Sequence, residues 1–466
     1  MKRVLAALLC LTVGAAPAAS PRATWRLDFH HTGGRGVEVF SVDKLLVEPL
    51  PWAGATGRDI DPSGFGTYRF ELRDVKGRVL FARGYSPIFA EWTTTAEAAK
   101  VNRTFHESLR FPALTAIVDA VVFKRDQANR FVEVWRTRLD PADQFIDRSV
   151  PPAQRVIEVV HNGDPSVKVD VLLLGDGYTA SECQEKFPRD AQRMAAALFS
   201  VEPYRSRRKD FNVWGICPPS PQSGVSRPST GVHVASPVGA TYDVFGSERY
   251  VLTMDNRAFR TIASWAPYEF ATIMVNNNTY GGGGLYNIYS TVAVDNDWAK
   301  YLFVHEFGHH FAGLADEYFT SPVAYEPPTT IVEPWEPNVT ALLDRRRLKW
   351  RQFATPGVPV PTPWPKERFE LYSRALQQRR AKLRADRRPE SEMSALFREE
   401  MAFDSALFAS AKYARAVGAF QGANYDAKAF YRPAIDCIMF TRDNVPFCPV
   451  CRHAIDQVID FYALKR

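Results

Sequence analysis

Long apolar runs, internal repeats and low-complexity tracts are missing from this sequence. Beyond the N-terminus no segment approaches the ~18 consecutive apolar residues that a membrane-spanning helix needs. The four glycines Gly281–Gly284 are not followed by Lys-Ser/Thr, so they do not read as a phosphate-cradling loop. Cysteine is sparse at 6 residues, and its one C-x-x-C pair, Cys448 and Cys451, has no second pair to complete a four-thiolate metal site. Glycine (27) is outnumbered by proline (33), which favours ordered loops over flexible linkers. The net charge of +6 is small for 466 residues and does not by itself imply a nucleic-acid or membrane partner.

The apolar content of 46% and charged content of 24% are those of a globular protein long enough for two or three domains. Lys2-Arg3, the apolar stretch Val4–Val13 and Ala16-Pro17-Ala18 form the three regions of a secretory signal, assigned to residues 1–19. Export to the periplasm, the cell surface or the medium is therefore expected. A lipoprotein reading through Cys10 is weaker, because Leu8-Leu9 precede it where a small residue belongs. Removal of the signal leaves Cys183, Cys217, Cys437, Cys448 and Cys451, an odd set with at least one free or metal-bound thiol. A disulfide joining Cys437 to one of Cys448 and Cys451 is expected over a zinc site, with the full pairing open.

Residues 24–148 alternate as strands do. Tyr68, Phe70 and Leu72 interleave with Arg69, Glu71 and Arg73, and the stretch reads as an all-β sandwich with an accessory role. Pro151-Pro152 open a second domain, 153–466. Val169–Leu174 reads as a central strand, and Thr179-Ala180-Ser181-Glu182 as a capping box starting a helix to about Phe199. Strands at Phe211–Ile216 and Ala271–Val275 flank a helix at about Asn256–Trp265. An edge strand is expected over Tyr286–Val294, then a helix over Asp297–Ala312 capped by Asp295 or Asn296. Residues 366–420 form an Arg-rich helical insertion. Phe369, Tyr372, Leu376 and Leu383 recur at helical spacing, and Arg379, Arg380, Arg384, Arg387 and Arg388 are expected on a solvated face.

The chemistry concentrates at His305-Glu306-Phe307-Gly308-His309. Residues four apart share a helix face, so His305 and His309 can ligate one Zn²⁺. Glu306 sits one step round, where it can take a proton from a metal-bound water as general base. Gly313 ends the helix and lets the chain turn back, bringing Asp316 towards the ion as third ligand, with Glu317 as the alternative. The fourth position stays open, as a catalytic site requires. His310 points away and reads as packing. The glycines Gly281–Gly284 are either a place where a substrate backbone approaches an edge strand or a surface loop.

The stretch HEFGHHFAGLADEY (His305–Tyr318) resembles the active-site segment of the IgA-peptidase family of metallopeptidases, whose fold is similar to metzincins. LLLGDGYTASE (172–182), SRRKDFNVW (206–214), YGGGGLYN (280–287), VGAFQGANY (417–425) and DCIMFTRDNVPFCPVC (436–451) resemble the same family, as does the N-terminal β segment. The resemblance implies zinc ligands His305, His309 and Asp316, base Glu306, and a Met-containing turn at Met439. It also implies an α+β multidomain fold, a β-sandwich followed by a metzincin-like zincin domain. Metzincins place their glycine and third ligand one residue earlier than Gly313 and Asp316, and no Tyr stands two residues after Met439. An oxyanion helper is therefore open, with Tyr318 and Arg442 as candidates.

These readings lead to a secreted zinc endopeptidase acting on protein or peptide, without nucleic acid or a transmembrane segment and with its oligomeric state open. The alternatives are a zincin-scaffold binding or adhesion protein, which retention of Glu306 disfavours, and a zinc amidase of cell-wall material. The immunoglobulin A in the family's name is an activity of particular members, and fold does not set substrate choice.

Overall fold

The computed structural model describes residues 22–463 except 56 and 327–329. The signal-peptide and Cys10 readings lie outside the described residues.

The N-terminal part comprises strands β1 (Ala23–Gly34), β2 (Val37–Pro51), β3 (Tyr68–Arg73) and β4 (Val79–Tyr85), helix α1 (Ile88–Trp92), then β5 (Arg103–Pro112), β6 (Val118–Arg125) and β7 (Phe131–Leu139). They form two antiparallel sheets, β2-β1-β5 and β4-β3-β6-β7. Trp25, Leu27 and Phe29 of one pack with Tyr68, Phe70 and Leu72 of the other in a shared core. The period of two in β3 makes this possible, since alternate side chains leave opposite faces. Glu71, on the other face of β3, is buried yet paired on both sides with Arg69 (2.9 Å) and Arg73 (2.6 Å).

The rest of the chain is built around one six-stranded sheet. Its elements are β8 (Val156–Val160), β9 (Val169–Asp176), α2 (Ala180–Leu198), β10 (Phe211–Ile216), β11 (Ala240–Thr241), β12 (Leu252–Thr253), α3 (Asn256–Ala263), β13 (Phe270–Val275), β14 (Gly282–Leu285) and β15 (Tyr289–Ala293). Helices α4 (Ala299–Ala312), α5 (Lys366–Ala385) and α6 (Glu390–Ala409), the hairpin β16 (Phe420–Ala423) and β17 (Asp426–Arg432), and α7 (Pro449–Tyr462) follow. The sheet order is β14-β15-β13-β9-β10-β8. Its four inner strands are parallel and its two edges antiparallel. Every residue of β9 is buried, Asp170 and Asp176 included, as in a nearly continuous apolar strand covered on both faces. Thr179 and Glu182 cap α2 reciprocally.

Four expectations need correction. First, the edge strand is the glycine run itself, and Tyr289–Ala293 lies one place inside it, parallel to β13. Glycine is required there by close packing: a Cβ on Gly284 would meet the carbonyl oxygen of Glu306 at 2.4 Å and His309 Cβ at 2.8 Å. Second, α4 begins at Ala299 without a side-chain cap, because Asn296 Oδ1 accepts the N–H of Trp298 (2.9 Å) in the turn before it. Third, the arginines of α5 are not all solvated. Arg380 is buried over the rings of Tyr280 and Phe397, and Arg384 pairs with Glu248 (3.1 Å) and Glu390. The flat guanidinium covers aromatic faces while its rim finds carboxylates, which a helical wheel does not register. Fourth, the disulfide is Cys183–Cys217, whereas Cys437, Cys448 and Cys451 are unbonded thiols. The first pair joins the start of α2 to the end of β10, which the parallel crossover already brings together.

A polar seam joins the two parts. Arg110 on β5 bonds both Glu48 (2.8 Å) and the carbonyl of Tyr268 (2.9 Å), and Ser86 N–H donates to the carbonyl of Tyr286 (3.0 Å). Asn256 on α3 donates to Ser108 Oγ (2.8 Å), and Asn287 to the carbonyl of Gly84 (2.8 Å).

Candidate metal centre

Helix α4 carries two of the candidate ligands, and a reversal at its end supplies the third. Gly313 takes a left-handed conformation (φ 59°) and caps the helix through its N–H to the carbonyl of His309 (3.1 Å). The chain then doubles back, so that Asp316 Oδ1 stands 3.0 Å from His305 Nε2 and 3.3 Å from His309 Nε2. The two imidazole Nε2 atoms are 3.2 Å apart. Three donors thus form a nearly equilateral triangle. Ligands of a tetrahedral ion at about 2.0–2.1 Å stand about 3.3 Å from one another, so the triangle has the size such an ion requires.

Outer partners fix each donor. His305 Nδ1 faces the carbonyl of Ile438 (3.0 Å), and His309 Nδ1 faces that of Leu314 (2.5 Å). Both contacts place the ring proton on Nδ1 and leave Nε2 as the lone-pair donor. Tyr301 OH lies 3.3 Å from His305 Nδ1. Asp316 Oδ2 accepts from Tyr425 OH, which comes from the tip of the β16–β17 hairpin. Asn424 and Tyr425 both have positive φ (48° and 62°), as the two central residues of a type I′ turn do. The strained tip is held by the ligand loop: Asn424 N–H donates to the carbonyl of Asp316 (2.9 Å) and Tyr425 N–H to that of Tyr318 (3.0 Å).

Glu306 is half-buried beside the triangle and lines the cleft that opens on it. Burial pushes its carboxyl above the usual carboxylate range, while His305 and His309 pull the other way. Against its back lies β14, where a Cβ on Gly282 would meet Glu306 Cγ at 3.1 Å. His310 is buried and pins the helix to the sheet: its Nε2 accepts the N–H of Ala271 (3.1 Å) and its Nδ1 donates to the carbonyl of Leu285 (3.0 Å). Burial holds its pKa at about 3, so it stays neutral. Beneath the helix the turn at Ile438–Phe440 places Met439 Sδ 3.1 Å from where a Cβ on Gly308 would lie. Met439 also accepts the N–H of Glu317 through its carbonyl (2.8 Å). Glu317, the alternative third ligand, turns away from the triangle towards Asn338 (3.0 Å) and Cys451 (3.3 Å).

Comparison with known families decides what kind of protein carries this site. The family model described as IgA Peptidase M64 matches residues 157–459, and the one described as Peptidase M64 N-terminus matches residues 18–136. The chain belongs to the IgA peptidase M64 family. No curated protein matches it. As a member of M64 it is a peptidase, and M64 peptidases are metallopeptidases.

In this M64 chain the cleft is walled by α4, by Arg249 and Tyr280, and by residues of the α5–α6 hairpin such as Phe369, Ser373 and Glu400. Tyr318 and Arg442 both line it. Tyr318 stacks on His305 at 6.3 Å, its hydroxyl accepting from Arg249 (3.3 Å), while Arg442 is held by Glu400 (2.7 Å) and Tyr280 (3.2 Å). The N-terminal part also reaches the site. Glu91 of α1 accepts from Tyr250 and from Tyr325 (3.3 Å), and burial pushes it up to about 7 against those hydrogen bonds. Arg249, Tyr425 and Glu91 escape a reading of the sequence because no short spacing links them to α4, and Tyr301, one turn before His305 on α4, belongs to no motif that marks it. Only the YGGGGLYN and VGAFQGANY segments, the second ending at Tyr425, flag part of the neighbourhood.

Replacement of Tyr425 by Phe removes its hydrogen bond to Asp316 Oδ2 without changing the ring. Metal affinity or activity should fall about 10–100-fold, as for other outer-shell partners of ligands. Competition against a chromogenic chelator measures this, and an unchanged affinity would show that the hairpin tip is not what holds Asp316.

Proposed function

We propose that this peptidase is an exported zinc endopeptidase of metzincin-like architecture, cleaving extended segments of protein substrates, with His305, His309 and Asp316 holding the zinc and Glu306 as general base. The observation that carries the reading is the donor triangle with Glu306 beside it at the mouth of the cleft. Two imidazoles and a carboxylate are a donor set suited to zinc. When bound, zinc supplies an acidified water and polarises the scissile carbonyl. The Glu306 carboxylate takes the proton of the attacking water and delivers it to the departing amine, so one group serves both half-steps. The Met439 turn under the helix supports the metzincin-like reading, and export rests on the N-terminal Lys2–Ala18 pattern.

The glycine strand suggests how a substrate is held. The amide and carbonyl of Gly282 are already taken by Arg249 (3.1 Å) and Val251 (3.2 Å). By the alternation of an antiparallel ladder Gly284 is the next residue whose polar groups face out from the edge, and an extended peptide pairs there. The test is hydrolysis of casein by the purified chain, with and without chelator, and identification of the new termini. Internal cleavage that chelator abolishes and zinc restores is expected. Cleavage indifferent to chelator, or no cleavage at all by zinc-loaded protein, would sink the proposal.

A further inference from the structure

Beneath the active-site loop lies a second group of donors. Glu317, Cys437, Cys448 and Cys451 come from three separate segments: the loop after α4, the approach to the Met439 turn, and the start of α7. All four are buried, Glu317, Cys437 and Cys451 completely, and their donor atoms lie within 4.8 Å of one another. None of them lines the cleft. We propose that these four residues form a second zinc site, closed and structural.

The spacing suits a tetrahedral ion. Cys437 and Cys451 sulfurs are 3.9 Å apart, and Cys451 Sγ is 3.3 Å from Glu317 Oε1. For zinc–sulfur distances of about 2.3 Å and zinc–oxygen distances of about 2.0–2.2 Å, the corresponding edges are about 3.8 and about 3.5–3.7 Å. Two of the three sulfurs, those of Cys437 and Cys448, are already arranged as acceptors. Cys448 N–H points at Cys437 Sγ (3.3 Å) and Cys451 N–H at Cys448 Sγ (3.4 Å). Cys448 is also the N-cap of α7, so the positive end of a 14-residue helix faces its sulfur. Both features favour thiolates at Cys437 and Cys448, against burial, which pushes the metal-free thiols of Cys437 and Cys451 up.

The carboxylate needs the ion most. Glu317 Oε1 takes a hydrogen bond from Asn338, but its Oε2 is buried with no hydrogen-bond partner among the described residues. An unpartnered buried carboxylate oxygen is costly, and a divalent ion satisfies it directly. A disulfide offers no such relief. It would consume two of the three thiols and leave the third beside a lone carboxylate. Three thiolates and a carboxylate outweigh the charge of one zinc. The buried Arg432, whose charge acts on Glu317, offsets part of the excess. Soft sulfur donors select zinc over magnesium or calcium, and four protein ligands leave no position for water.

Such a clamp would tie together the parts that shape the active site. Glu317 follows Asp316 in sequence, Cys437 precedes the turn of Met439, and the Glu317 N–H to Met439 carbonyl bond already links the two. The experiment uses the chain from residue 20 onward, which lacks Cys10, purified without reductant or chelator. Expected are two zinc ions per chain, and three thiols that resist a thiol reagent until the protein is unfolded in chelator. Expected as well is strong sulfur-to-metal charge-transfer absorption after replacement of zinc by cobalt. Absence of that absorption, or a single titratable thiol in place of three, overturns the proposal. The inference does not depend on the peptidase site, which has no sulfur ligand. Failure of that site alone would leave one zinc per chain with the charge-transfer band intact. A Cys448→Ser/Cys451→Ser chain that folds should lose one zinc and the band, and one that does not fold leaves the wild-type measurements to decide.

Discussion

Glu306→Gln should lower kcat/KM by about 10²–10⁴-fold, the usual contribution of a positioned general base. In free energy this is about 2.7–5.5 kcal/mol of transition-state stabilisation. Glutamine keeps the shape of the side chain, and therefore its fit against Gly282, but cannot take a proton. Metal content should be unchanged, because Glu306 is not one of the three clustered donors. Steady-state kinetics with metal analysis on the same preparation checks both halves. Activity within about tenfold of wild type would remove Glu306 from the general-base role. Loss of metal along with activity would make it a ligand instead.

Asp316→Ala is the second large effect. It removes one corner of the triangle and leaves Tyr425 OH without its acceptor. Changes to an outer partner typically cost about 10–100-fold in metal affinity, so loss of a direct ligand should exceed about 100-fold. After dialysis against buffered free zinc the variant should hold one equivalent less per chain than wild type and show no peptidase activity. Its circular dichroism should be unaltered, since α4 is anchored to the sheet independently through His310. Retention of wild-type metal content and activity would overturn Asp316 as third ligand.

The grouping of His305, Glu306 and His309 was legible because a helix converts a spacing of four into a shared face. The reach of Asp316 was legible because Gly313 could be recognised as a helix end. The choice between Asp316 and Glu317 was not. Neighbours in a chain that leaves a helix point to opposite sides, and which side faces the site depends on the bond from Glu317 N–H to Met439, more than a hundred residues away. The glycine run was ambiguous for a related reason. Its strand conformation is imposed by the approach of α4 and by pairing with β15, neither of which leaves a mark on four identical residues. Among the cysteines the sequence exposed only the C-x-x-C pair. The buried carboxylate that changes its meaning is Glu317, itself weighed for a different site. The β3 alternation, the buried run of β9 and the capping box of α2 were readable because each is a local pattern with a single physical solution.

His310 has a mechanical consequence. One ring bonds both β13 and β14 from the last turn of α4, and glycines bring the strand and helix backbones into direct contact along the same face. Helix, strand and donor triangle therefore move as one stiff unit with almost no internal compliance. Whatever breathing admits a bulky polypeptide has to come from the opposite wall. That wall includes the α5–α6 hairpin, which lines the cleft with Phe369, Ser373, Gln377, Glu400 and Asp404. Adaptation to a substrate therefore falls to the side chains of that hairpin, not to the helix that carries the donors.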